Sequence, residues 1–133
     1  LVERLNNKIQ NHAEEIADAE TYNTDDCQMG IVSFGCTSRA IYEAVEIAEA
    51  KRIKTGYIRL KTIWPFPEKA VRQLAETAEK IIVPEMNLRQ IFYEVQRVTN
   101  GLAEVIPLNK IGGGELITPE ELFEKIQESV KNG

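Results

Sequence analysis

The sequence predicts an α/β fold, a three-layer α/β/α sandwich around a mostly parallel central sheet. Three observations point there. Short apolar runs alternate with segments of helical periodicity four times in succession. The runs Met29–Phe34 and Ile81–Val83 are nearly continuous in apolar residues, as strands covered on both faces are. Turn and cap chemistry falls between the runs, in Gly35-Cys36-Thr37-Ser38, Trp64-Pro65-Phe66-Pro67, Asn100-Gly101 and Thr118-Pro119-Glu120-Glu121.

Taken in order, Leu5, Ile9, His12 and Ile16 form one narrow helical stripe. Residues 1–18 therefore read as an N-terminal linker helix, and residues 19–133 as the α/β domain. His12 has no Asp or Cys at a spacing that would build a site, and reads as a helix-surface or interface residue. The polar stretch Ala19–Asp26 has room for a short edge strand around Thr21-Tyr22-Asn23. Met29–Phe34 is the first main strand, turned by Gly35-Cys36-Thr37-Ser38. Thr37 or Ser38 can cap the next helix, whose buried face is Ile41, Ala44, Val45 and Ala48 and which should end before Thr55-Gly56.

Tyr57–Leu60 is a second strand. Two prolines make Trp64–Pro67 a rigid loop, with Pro67 suited to the first helical position. Ala70, Val71, Leu74, Ala75 and Ala78 mark the helix that follows. Ile81–Val83 is the third strand, expected to stop near Pro84, which lacks an N–H for the ladder. Asn87 and Gln90 have capping-box spacing ahead of a helix presenting Leu88, Ile91, Phe92, Val95 and Val98. Asn100-Gly101 stops it. Ala103–Leu108 is the fourth strand, placed at an edge because it contains Pro107. Gly112-Gly113-Gly114 is a loop. Thr118-Pro119-Glu120-Glu121 then opens a last helix carrying Leu122, Phe123, Ile126 and Val130.

Right-handed crossovers restrict how such units connect. The strands around Val32 and Val83 are expected side by side, with their exits diverging to opposite faces. That arrangement leaves a switch-point crevice between Gly35-Cys36-Thr37-Ser38 and Glu85-Met86-Asn87.

Composition narrows the function. The 133 residues suit one domain with a core of its own. No apolar run approaches the ~18–20 residues of a membrane span, and the first residues lack a signal pattern. The chain does not begin with Met and reads as a piece of a longer one. A net charge of −5 without a basic stripe argues against nucleic-acid binding. Cys27 and Cys36 have neither CxxC nor zinc spacing and read as reduced thiols of a cytoplasmic protein, with a redox pair as the remaining possibility. An iron–sulfur cluster needs about four thiolates, more than this chain offers.

The candidate site is the crevice edge: Gly35, Thr37, Ser38, Glu85, Asn87 and Gln90. Asn87 and Gln90 are also explained as a capping box. Glu85 is not so explained; a carboxylate at a strand end must be solvated, paired or hydrogen-bonded, through backbone N–H groups or a partner subunit. No second acid or histidine stands ready beside it, so no catalytic residue and no metal ligand is assigned. The Gly35 turn is a possible anion cradle, though it matches neither phosphate-loop pattern. Cys36 there is either a low-pKa thiol or a small core residue. Trp64, Pro65, Phe66 and Pro67 form a candidate interface loop, with part of it packing inward.

Ile58-Arg59-Leu60 with Trp64-Pro65-Phe66-Pro67, then Val83-Pro84-Glu85-Met86-Asn87-Leu88-Arg89-Gln90, then Lys110-Ile111-Gly112-Gly113 with Thr118-Pro119-Glu120-Glu121, resembles the C-terminal domain of the alpha subunit of 2-oxoacid:ferredoxin oxidoreductases, most closely the 2-oxoglutarate enzymes. Gly35-Cys36-Thr37-Ser38 resembles that family's Gly-Ser-Thr-Ser-type turn. One position departs: Arg89 stands where the family pattern has glycine, placing a long cation in the first helical turn. The resemblance implies a fold like the transketolase C-terminal domain. It also implies an enzyme that oxidatively decarboxylates a 2-oxoacid with thiamine diphosphate and magnesium, coenzyme A and iron–sulfur or ferredoxin electron transfer. It implies assembly with an upstream domain of the same subunit and a beta subunit, with gamma and delta subunits possible, and contact with ferredoxin only through the holoenzyme. This domain would bind none of the cofactors and be silent alone. The alternative is a free-standing flavodoxin-like module that binds a small ligand or anion.

Overall fold

A computed structural model describes residues 14–16, 19–34, 38–85, 90–109 and 117–131. The strands are β1 (Glu14–Ile16), β2 (Ala19–Tyr22), β3 (Met29–Ser33), β4 (Thr55–Leu60), β5 (Lys80–Glu85) and β6 (Glu104–Asn109). The helices are α1 (Ser38–Ala50), α2 (Glu68–Thr77), α3 (Gln90–Thr99) and α4 (Pro119–Lys131). The sheet order is β1-β2-β4-β3-β5-β6. β4, β3, β5 and β6 are parallel, and β1 and β2 are antiparallel additions.

Alternation along the strands sorts the core into two layers. Val32, Ile58, Ile81 and Val83 face α2 and α3, meeting Val71, Leu74, Ile91 and Val95. Met29, Ile31, Tyr57 and Ile82 face α1 and α4, meeting Ile41, Val45, Leu122 and Ile126. Gly30 lies on the α2 side: a Cβ there would come within 2.8 Å of a Leu74 methyl, so its bareness lets the helix close on the sheet.

The strands around Val32 and Val83 are neighbours, in register Met29↔Lys80 to Ile31↔Ile82. The helices after them lie on opposite faces, α1 on one and α3 on the other. β6 is an edge strand, as Pro107 requires. Thr118 and Glu121 form the expected capping box: the Glu121 N–H donates to Thr118 Oγ1 at 3.1 Å, and the Thr118 N–H to Glu121 Oε1 at 3.0 Å. Asn100 and Gly101 both have positive φ, 49° and 84°, ending α3 where expected.

Three expectations need correction. Glu14–Ile16 is a strand, not helix, paired with β2 from Glu14↔Thr21 to Ile16↔Ala19; pairing partners override a local helical period. The rest of 1–18 lies outside the described residues. β2 is consequently not the edge, since β1 lies outside it. β5 does end near Pro84, at Glu85, as expected; its ladder with β3 already stops at Ile82, so the missing N–H falls where only β6 is alongside. Pro67 precedes α2 rather than opening it.

Candidate functional site

The candidate site sits at the carboxyl ends of β3 and β5. Ser38 and Gln90 are the first residues of α1 and α3, the helices that leave these strands for opposite faces. Gly35, Cys36, Thr37, Asn87 and Arg89 lie outside the described residues, as do the glycines of the last loop. The two helix starts flank the position expected for the crevice, and the loops between them and the strands, residues 35–37 and 86–89, lie outside the described residues.

Glu85 is the crevice residue whose side chain is described. It is buried, with 5% of its surface exposed. One carboxylate oxygen accepts the backbone N–H of Phe92, in the first turn of α3. Early helical N–H groups lack acceptors within the helix, so Glu85 ties a strand end to the helix that follows it. A backbone N–H, one of the partners the sequence allowed, is found, and it belongs to α3.

The interface loop divides as expected between inside and outside. Phe66 is buried among the α2-side core residues, and Trp64 is 87% exposed. The Thr62 hydroxyl accepts the Trp64 N–H at 3.1 Å and donates to the Trp64 carbonyl at 3.0 Å. The Trp64–Pro65 peptide is cis. The two Thr62 hydrogen bonds brace the backbone from which the indole projects.

A second polar constellation lies on the α1 side, where β2 meets β4. Glu20 is buried, and its Oε2 accepts the Tyr42 and Tyr57 hydroxyls, each at 2.7 Å. Its Oε1 pairs with Arg59 Nη1, which also donates to the Tyr42 oxygen at 3.2 Å. Glu20 and Arg59 are register partners across β2 and β4. Tyr22 stacks on Tyr57 at 5.5 Å and donates to Glu49. Burial first, then the Glu20 carboxylate, pushes Tyr42 and Tyr57 above the ordinary phenol range; burial and then Glu49 push Tyr22 up to about 12. These phenols stay protonated donors, and Glu20 is spent on them and on Arg59. The group fastens β2 and α1 to β4 and offers no free base. One signal for it was present in the sequence: Arg59 within a buried strand demanded an acid. Which acid depended on the antiparallel pairing of β2.

Cys27 is a buried free thiol, pushed up to about 11 chiefly by burial. Two buried oxygens at the carboxyl edge, Ser33 Oγ and Asn109 Oδ1, have no hydrogen-bond partner. Among the described residues, no group of His, Cys, Asp and Glu could hold a metal ion, and no helix is long and apolar enough to cross a membrane.

Residues 27–122 match the family described as pyruvate:ferredoxin oxidoreductase core domain II. The 2-oxoglutarate synthase subunit KorA of Methanothermobacter marburgensis is 48% identical over 126 residues, covering 95% of this chain and 33% of that subunit. The chain thus spans about a third of the length of the curated relatives it matches. A 2-oxoglutarate:ferredoxin oxidoreductase structure from Magnetococcus marinus aligns with TM-score 0.73 and 25% identity over 86% of this chain and 20% of that one. A split-gene transketolase aligns with TM-score 0.67 and 17% identity over 80% of this chain and 40% of that one, which shows a shared fold. The sandwich expected from the sequence is therefore the transketolase C-terminal-like fold. The family match covers more than half of the chain, and the chain belongs to the pyruvate:ferredoxin oxidoreductase core domain II family.

Proposed function

We propose that this chain is the C-terminal domain of the alpha subunit of a cytoplasmic 2-oxoglutarate:ferredoxin oxidoreductase, serving assembly rather than chemistry. The enzyme would decarboxylate 2-oxoglutarate oxidatively to an acyl-coenzyme A and pass the electrons to ferredoxin. The observation that carries this is the 48% identity to a 2-oxoglutarate synthase subunit across 95% of the chain. These relatives give no support to the free-standing flavodoxin-like module.

Thiamine diphosphate with magnesium, coenzyme A and an iron–sulfur centre go with that activity. Three buried ionisable side chains among the described residues are engaged in ways that leave them unsuited to hold such groups. Glu20 is saturated by two phenols and a guanidinium, Glu85 accepts a helix N–H, and Cys27 is a buried neutral thiol. The cofactors are assigned to the rest of the subunit and to a beta subunit. The crevice edge (Gly35, Thr37, Ser38, Glu85, Asn87, Gln90) and the Trp64–Pro67 loop are assigned to contact with them.

The test is turnover with 2-oxoglutarate, coenzyme A and a viologen acceptor. The assembled enzyme should reduce the dye and the isolated chain should not. Turnover by the isolated chain would overturn the scaffold reading. An assembled enzyme that ignores 2-oxoglutarate but uses another 2-oxoacid would overturn the substrate.

A further inference from the structure

Among the described residues, the large apolar side chains that stand exposed are Phe34 (39%), Trp64 (87%), Tyr93 (58%) and Leu102 (47%). Three of these four follow the carboxyl ends of adjacent strands. Phe34 comes directly after β3, Trp64 lies in the connection after β4, and Tyr93 is in the first turn of the helix after β5. Two of them stand on a braced backbone. Thr62 braces the backbone of Trp64, Phe66 anchors the same loop in the core, and Glu85 fixes the turn of α3 that carries Tyr93. A backbone already fixed before docking has less entropy to lose, which suits the aromatic side chains it carries as contact anchors.

From this placement we infer that Trp64, with Phe34 and Tyr93, seats against the other two thirds of the alpha subunit; the inference rests on the proposed membership of that subunit. Area and tethering select this occupant. An aromatic side chain offers ~150–250 Å², so three partly exposed rings supply roughly 400 Å². A stable association of free partners takes about 800 Å² from each. A second copy would also bring a net charge of −5 against −5. A tethered partner works at an effective concentration of about millimolar and needs far less surface. In the KorA relative, the matched third is part of one polypeptide with the remaining two thirds.

The experiment places the photo-cross-linker p-benzoylphenylalanine at position 64 of the full-length subunit, within the assembled enzyme. The link should map to peptides of the same subunit outside these 133 residues. In the unlabelled enzyme, hydroxyl-radical oxidation of Trp64 should be at least tenfold slower than in the isolated chain. Trp64→Ala should loosen that protection for Phe34 and Tyr93 while leaving the melting temperature of the isolated chain unchanged. A link to another subunit or to a second copy, or oxidation of Trp64 as fast as in the isolated chain, overturns the inference. Turnover of the wild-type assembly with 2-oxoglutarate, scored in parallel, reports on the functional reading separately from the docking.

Discussion

The two edges of the parallel sheet are built on opposite principles. At the amino edge the strand starts are stitched together by main chain. Gln28 and Met29 N–H groups donate to the Lys54 carbonyl at 2.8 and 3.0 Å, Glu79 N–H to Gln28 O at 3.0 Å, and Glu104 N–H to Glu79 O at 3.1 Å. Lys80 Nζ donates to the Ser129 carbonyl at 2.6 Å, placing a cation at the negative end of α4. Buried oxygens without partners occur at both edges, Ser33 Oγ and Asn109 Oδ1 at the carboxyl edge and Thr99 Oγ1 at the amino edge. Exposed aromatic side chains gather at the carboxyl edge, whereas the amino edge carries Leu102 alone of the exposed large apolar residues described. One edge is stitched within the domain; the other displays the exposed aromatic side chains.

The sharpest way to break this contrast is to damage the closed edge. Gly56, the second residue of β4, lies against the end of β2: a Cβ would stand 2.6 Å from the Asn23 carbonyl oxygen and 2.9 Å from that of Tyr22. Both obstacles are backbone, so Gly56→Ala should destabilise the domain by about 3 kcal/mol, measured by urea unfolding. A loss below about 1 kcal/mol would mean that this edge yields more readily than its contacts imply.

A smaller loss is expected at the open edge. Glu85→Ala removes a buried carboxylate that accepts the Phe92 N–H, at a cost of about 2 kcal/mol. Glu85→Gln, which keeps an acceptor oxygen, should lose less than half of that. Equal losses in the two variants would show that the carboxylate charge, rather than the hydrogen bond, holds α3.

The smallest effect is a pH dependence at the closed edge. Burial raises the Cys27 thiol from 9.0 to about 11, against the opposing hydrogen bond from the Gly56 backbone. A raised folded-state value means that the native state holds the proton more tightly. Stability from this group is therefore intact below about pH 9 and lost as pH rises towards about 11. Around pH 10 the loss should be on the order of 1 kcal/mol. Cys27→Ala should flatten that limb of the stability curve. An unchanged slope would assign the alkaline loss to the tyrosines, among them Tyr22 at about 12.

The contrast between the edges also separates what was legible in the sequence from what was not. The runs at Met29 and Ile81, the faces of α1 to α4 and the Thr118–Glu121 cap are local patterns that appear as read, apart from Leu88 of the α3 face, which lies outside the described residues. The adjacency of β3 and β5 followed from connection rules applied to those patterns. Glu14–Ile16 carried a helical spacing that meant nothing once β2 offered a pairing edge. Glu20, a mid-chain acid in a polar stretch, acquires its meaning only from Arg59, Tyr42 and Tyr57, each more than twenty residues away. Of the candidate site, the inward packing of part of the Trp64–Pro67 loop and the need of Glu85 for a partner could be reasoned from residue type; that Phe66 goes inside and Trp64 outside could not. The identity of that partner, the Phe92 N–H, depended on where α3 begins.

The four hydrogen bonds donated by Gln28, Met29, Glu79 and Glu104 at the amino edge use amide and carbonyl groups alone. The residues that carry them can therefore drift through substitution without opening them, and the register of four strands survives changes that would erase a side-chain lock. Proline is the exception: at 28, 29, 79 or 104 it would delete a donor, and these become the positions where this fold can least accept an imino acid.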